Sequence, residues 1–114
     1  FWELVGRAHQ DDLRISEVEA LVASAREDID AGANINAMDQ SEGDTPLMRL
    51  TYKKTPLAIE LAKLLIDKKA DLRQKNSKPG MITQGWTALD YAVFNNNFEL
   101  ADLLLKAGAP RALS

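Results

Sequence analysis

His9 is the only imidazole in the chain, and cysteine is absent. One imidazole excludes a multi-histidine metal site and most histidine-paired hydrolase arrangements. The missing thiol removes a disulfide framework, a thiolate zinc site and a thiol nucleophile. His9 stands at the end of a short predicted helix, with no cluster to make it a ligand or a proton carrier. The acids offer little more. Asp11-Asp12 and Glu27-Asp28 are adjacent pairs, and adjacent side chains on a helix do not face each other, so neither pair can flank a substrate. Gly80 and Gly85 mark loop bends rather than a phosphate cradle, because no G-x-x-x-x-G-K-[ST] run exists. The residues therefore predict no catalytic group, no metal site, no cofactor and no enzyme.

Charge narrows the binding chemistry. The chain has 14 Lys+Arg against 17 Asp+Glu, a net charge of −3. That balance argues against a general nucleic-acid or polybasic membrane binder. No apolar run approaches the roughly 20 residues that a membrane helix needs. The distribution is uneven: residues 49–78 carry +6 and residues 1–48 carry −8. A basic middle would steer an acidic partner. A solvated face, partly neutralised by the acidic first segment, accounts for it more simply. Nucleic-acid binding rests on the +6 segment alone and is the weakest of the binding readings.

The elements that must position any site form a repeating pattern. At 114 residues and 46% hydrophobic content, the chain is long enough for one core. It opens at Phe1 rather than Met, as a processed protein or an excised domain would, and shows no charged-then-apolar leader. Gly43-Asp44-Thr45-Pro46-Leu47 leads to Leu64-Leu65-Ile66-Asp67-Lys68-Lys69-Ala70-Asp71. Gly85-Trp86-Thr87-Ala88-Leu89 leads to Leu103-Leu104-Leu105-Lys106-Ala107-Gly108-Ala109-Pro110. A partial third copy ends at Ala31-Gly32-Ala33-Asn34-Ile35-Asn36.

Each copy reads as a turn, a short helix, a second helix and a Gly-Ala-like stop. Thr45-Pro46 and Thr55-Pro56 pair a hydroxyl cap with a proline at the first helical position. Thr87 repeats the cap, with Asp90 near the positive helix end. Ser16 and Glu19 have capping-box spacing. Gly32 and Gly108 fall where a helix ends in a left-handed residue, and Lys69 takes that place in the middle copy. Leu61, Leu64 and Leu65 share one helical face, as do Leu100, Leu103 and Leu104. A two-helix unit cannot bury such a face alone, so the units must stack.

These residues resemble ankyrin repeats, whose pattern is roughly G-x-T-P-L-H-x-A-A, a turn, and a helix closing L-L-x-x-G-A-D over about 33 residues. The resemblance implies an all-α solenoid in one domain. Residues 1–40 form an atypical N-terminal capping repeat with a cap-like first helix near Leu4 to His9, and residues 41–73 the middle repeat. Residues 74–84 form a long inserted loop, and residues 85–114 the C-terminal repeat. Thr45 and Thr87 lie 42 positions apart. The excess is assigned to the inserted loop and to Tyr52-Lys53-Lys54; Ala23 to Asp30 carries extra residues in the first copy. Met48 and Asp90 replace the usual histidine, and Arg49 stands where an apolar residue is common. Asn95-Asn96-Asn97 fills the interhelical turn, and Asn tolerates left-handed geometry.

The resemblance also implies function: a non-enzymatic module that binds another protein through finger loops and the concave face of the first helices. The alternative is a structural or assembly fragment of a larger protein, for which Ala101, Leu105 and Leu113 would need a cover. Carried over by position, the finger residues are Ser41, Glu42, Asp44, Thr83, Gln84 and Trp86. The exposed ends of the first helices are Tyr52 and Lys53, then Phe94 and Asn95. The expected partner contacts are Trp86, Tyr52, Phe94, Lys53, Glu42, Asp44, Gln84 and Asn95, the aromatic ones weighing most. Phe98 is assigned to the core and Tyr91 to at least half burial. A monomer in the cytoplasm, with no membrane partner, is the default expectation.

Overall fold

A computed structural model describes residues 1–39, 41–76 and 78–109. Those residues form six α-helices: α1 Trp2–Gly6, α2 Ile15–Asp30, α3 Pro46–Leu50, α4 Pro56–Asp67, α5 Ala88–Phe94 and α6 Phe98–Lys106. A single 3-10 turn, Arg7–His9, continues α1. No strand occurs among the described residues. The short helices α1, α3 and α5 pack in one layer, and α2, α4 and α6 in the other.

The caps explain where the helices begin. The Thr45, Thr55 and Thr87 hydroxyls accept the backbone N–H groups of Met48, Ala58 and Asp90 at 3.3, 3.1 and 3.3 Å. Asn97 does the same for Leu100 at 3.3 Å. The cap residues of the second helices also tie repeats together. Thr55 donates its hydroxyl to the Ala8 carbonyl, and Asn97 donates to the carbonyls of Thr51 and Lys53 at 3.2 and 2.9 Å. Helix α2 starts at Ile15, one residue before Ser16. Arg14 caps it, and Glu17 accepts the Arg14 N–H at 3.1 Å. The Ser16–Glu19 box is thus corrected to the Glu17 half of a box.

The core is the leucine seam between layers. Leu57, Leu61, Leu65, Leu100 and Leu104 are no more than 1% exposed, and each such burial stabilises the fold by about 1.5–3 kcal/mol. Phe98 is not part of it. At 65% exposure it lies on the surface, because the first position of α6 points outward while Leu100, Ala101 and Leu104 turn inward. Ala101 is buried and Leu105 partly so. Leu113, like Ser77 and Pro110, lies outside the described residues.

The two fingers close in the same way. Asp39 N–H donates to the Asp44 carbonyl at 2.9 Å, and Gly43 N–H returns to the Asp39 carbonyl at 3.0 Å. In the second finger Asn76 N–H donates to the Trp86 carbonyl at 2.8 Å, and Gly85 N–H returns to the Asn76 carbonyl. The Asn76–Gly85 span is longer than Asp39–Gly43, and this accounts for much of the 42-residue spacing. Helix α4 supplies more, with 12 residues against 9 in α6. Tyr52-Lys53-Lys54 does lengthen the turn between α3 and α4 relative to that between α5 and α6, but α3 has 5 residues against 7 in α5, so the two offset and the spacing gains nothing. The two caps in the middle repeat, Thr45 and Thr55, have the same separation as Thr87 and Asn97. In the first repeat the surplus lies at the start of α2 rather than in Ala23 to Asp30. Lys68 pairs with Asp30 at 2.8 Å, so the C-terminal ends of α2 and α4 lie level, while Ile15 overhangs at 79% exposure.

Candidate functional site

The inner helices and the fingers meet around Tyr91, which α5 carries into the interior at 1% exposure. Two aromatic rings pack on it, and a third joins through one of them. Tyr52, just past α3, meets Tyr91 edge to face with centroids 5.7 Å apart. Trp86, at the base of the second finger, lies 5.4 Å from Tyr91 and 5.2 Å from Phe94, again edge to face. Tyr52 and Phe94 are 42% and 69% exposed, and Trp86 is half-buried between them and the core. Edge-to-face pairs of this kind contribute about 0.5–1.5 kcal/mol each beyond their burial. They hold the rings in place without covering them.

A polar knot lies beneath the rings. Asp44, also 1% exposed, accepts the Tyr91 hydroxyl proton at 2.6 Å and the Asn76 amide at 3.0 Å through Oδ1. Its Oδ2 accepts no hydrogen bond and faces the Arg49 Nε at 3.4 Å. The Arg49 guanidinium donates to Asp39 Oδ2 from Nε and Nη2, at 3.1 and 2.9 Å. Asn76 also donates to the Glu42 carbonyl at 2.8 Å. One amide thus links both fingers to the same carboxylate.

The electrostatics divide the two aspartates. Burial pushes the Asp44 pKa up, and the hydrogen bonds from Tyr91 and Asn76 and the nearby Arg49 only partly offset it. Asp39 is also pushed up by its burial. The Glu42 N–H and the Arg49 guanidinium pull harder, and its pKa falls below the usual carboxylate value. Burial and the hydrogen bond to Asp44 raise the Tyr91 hydroxyl. This knot is structural chemistry: Tyr91, Asn76 and Asp39 are bonded from within, and the Asp44 Oδ2 is left with the nearby Arg49 charge alone.

The predicted contacts now sort themselves. Tyr52, Phe94, Trp86 and Lys53 lie on one strip, with Asn95 half-buried beside it. Glu42 and Gln84 lie on the fingers, with Gln84 exposed and the Glu42 side chain 47% exposed. Asp44 is the exception. It is sealed inside and cannot touch a partner, because the carboxylate serves as the acceptor for Tyr91 and Asn76. Asn76, Asp39 and Trp2 were not singled out by the sequence reading. An Asx residue ahead of a left-handed glycine, as in Asp39…Gly43 and Asn76…Gly85, was the available signal.

Next to this strip runs a groove of about 750 Å³, lined by Trp2, Val5, Gly6, His9, Asp39, Glu42, Arg49, Tyr52 and Lys53. It lies between α1, the first finger and α3. Among the described residues, no group of three or more His, Cys, Asp or Glu side chains could hold a metal ion. No helix among them is long and apolar enough to cross a membrane.

The model for ankyrin repeats in three copies matches residues 13–111. An ankyrin repeat protein of Acanthamoeba polyphaga mimivirus is 35% identical over 82 residues, covering 71% of this chain and 47% of that protein. Among solved structures, a similar chain belongs to the complex of a predatory endopeptidase from Bdellovibrio bacteriovorus with an immunity protein. It has a TM-score of 0.64 and 33% identity, over 94% of this chain and 46% of that one. The chain thus spans about half the length of the relatives it matches. Ankyrin repeats are protein-interaction modules and generally non-enzymatic. The stacked helix pairs, the fingers and the match along residues 13–111 place this chain in the ankyrin-repeat family.

Proposed function

We propose that this chain is a non-enzymatic module that binds another protein through its fingers and the concave face of its inner helices. One observation carries the reading: Tyr52 and Trp86 pack on the buried Tyr91 and Phe94 packs on Trp86, a partly exposed aromatic strip on a braced scaffold. Exposed, contiguous aromatic surface supports a binding role. The polar knot adds preorganisation, since fingers already fixed lose little entropy on contact. Basic residues of the middle segment are partly spent internally. Arg49, Lys63 and Lys68 pair with Asp39, Glu60 and Asp30, which weakens the case for a simple acidic partner.

The test is an alanine scan of Trp86, Phe94, Tyr52, Lys53, Glu42, Gln84 and Asn95 against a partner recovered by affinity capture. Trp86→Ala and Phe94→Ala are expected to weaken binding at least about tenfold, as interface hot spots do. Unchanged affinity across all seven would reject this surface. A second reading is favoured by the likeness to a chain of the endopeptidase complex: the partner is a peptidase. Titration of the chain into endopeptidase assays separates the two. Stoichiometric loss of hydrolysis supports a peptidase partner, and a partner without peptidase activity rejects it.

A further inference from the structure

The groove beside the aromatic strip gives the binding surface a chemistry, in an inference that rests on the protein-binding reading above. Its walls are of two kinds. Trp2 and Tyr52, 36% and 42% exposed, supply aromatic surface. Asp39 and Glu42 supply carboxylates. Asp39, Glu42 and the buried Asp44 stand 2.9, 3.8 and 3.4 Å from one guanidinium, that of Arg49. Against these three carboxylates the groove carries two cations, Arg49 and Lys53, which leaves one acid in surplus.

Glu42 is the carboxylate with capacity to spare. Its nearest cation is 3.8 Å away, beyond hydrogen-bond reach, and its side chain is 47% exposed. Its backbone is nonetheless fixed. The Glu42 N–H donates to Asp39 Oδ1 at 2.6 Å, and its carbonyl accepts from Asn76 at 2.8 Å. Arg49 is drawn inward by Asp39 and by the sealed Asp44 Oδ2, which accepts no hydrogen bond. A carboxylate with open lone pairs is therefore held at the mouth of a groove that also presents aromatic rings. Lys53 and His9 line the same groove.

We infer that the groove receives an arginine side chain of the partner protein. A guanidinium is the group that uses both walls. Its plane stacks on an aromatic face, and its forked N–H groups donate to a carboxylate in charge-assisted bonds. The acidic surplus favours its approach. A lysine ammonium satisfies the charge but presents no plane to the rings, so it binds less tightly.

The probe is the blocked tripeptide acetyl-Gly-Arg-Gly-amide, followed by ¹H–¹⁵N NMR on the whole chain. Saturable shifts are expected at the Trp2 indole and at the Glu42 and Tyr52 amides. The citrulline tripeptide, uncharged and of the same shape, is expected to leave them in place. Glu42→Gln should weaken the arginine peptide about three- to fivefold, the scale of an exposed ion pair, and Tyr52→Leu, still folded though less stable by its lost ring pair with Tyr91, should weaken it as well. Shifts that map elsewhere, equal binding of citrulline, tighter binding of acetyl-Gly-Glu-Gly-amide, or insensitivity to Glu42→Gln overturns the assignment. If it falls while Trp86→Ala still weakens a partner, the protein-binding reading stands. If the groove takes arginine while the alanine scan is flat, the aromatic strip is the part that fails.

Discussion

Arg49 and Tyr91 occupy the same place in successive repeats, each the fourth residue after its threonine cap, and both close on the carboxylate of Asp44. The tyrosine takes Oδ1 and the arginine faces Oδ2. A departure from the family pattern at Arg49 and a buried phenol at Tyr91 are therefore two halves of one arrangement, which locks the first finger onto the third repeat.

That arrangement makes the Tyr91 hydroxyl valuable and the Tyr52 hydroxyl dispensable. Tyr91→Phe removes the 2.6 Å donor to a sealed carboxylate and should cost about 1–3 kcal/mol, the scale of leaving a buried polar group unpaired. Tyr52→Phe deletes a hydroxyl on an exposed ring and should stay within about 0.5 kcal/mol of the parent. Urea denaturation followed by circular dichroism reads both.

Asp39 and Asp44 should give pH dependences of opposite sign. The Asp39 pKa is lower in the fold than in the unfolded chain. Its contribution is present above the unfolded value and disappears as pH falls through the folded one. The Asp39→Asn deficit should therefore hold from neutral pH to near pH 4 and close below it. The Asp44 pKa is raised, so its titration favours the fold at low pH and loses that contribution as pH rises through the folded value. Parent stability relative to Asp44→Asn should decline across that rise. Denaturation series between pH 3 and pH 7 check both slopes, and parallel slopes would refute the assignment.

Three left-handed positions offer a further contrast. Lys69 ends α4 at φ 67°, and Lys69→Gly should stabilise the chain by about 1 kcal/mol by removing the cost of a Cβ there. Gly43, at φ 73°, is required twice over. A Cβ would sit 2.8 Å from both Asn76 Oδ1 and Lys78 Cβ, so Gly43→Ala should cost more than the conformational penalty alone. At Gly85, φ 87°, the space is open and only that penalty applies. Thermal melts of the three variants rank them.

Core membership can be settled by truncation. Leu104→Ala, at a fully buried site, should cost about 2–5 kcal/mol. Phe98→Ala should stay within about 0.5 kcal/mol, because the ring is already in solvent. Equal losses would return Phe98 to the interior.

Much of the scaffold was legible because its signals are local. Thr-Pro caps, leucine faces and the stops at Gly32 and Gly108 act within one or two turns, and all appear where expected. Lys69 and Asn96 adopt the left-handed geometry read for them. What escaped depends on partners distant in sequence. Asp44 looks like any finger acid until Tyr91 and Asn76, 47 and 32 residues away, converge on it. Phe98 is apolar in type, yet it holds the first position of α6, which faces outward. The longer turn at Tyr52–Lys54 is offset by a shorter α3, so the caps stand equally far apart in both repeats.

The outer helices shorten from 16 to 12 to 9 residues along the chain. At about 1.5 Å per residue, the first rod outreaches the last by roughly 10 Å. The units are consequently not exchangeable blocks. A shuffled or duplicated order would set long rods against short neighbours and strip their flanks bare, so the sequence of units is encoded in their dimensions as well as in their side chains.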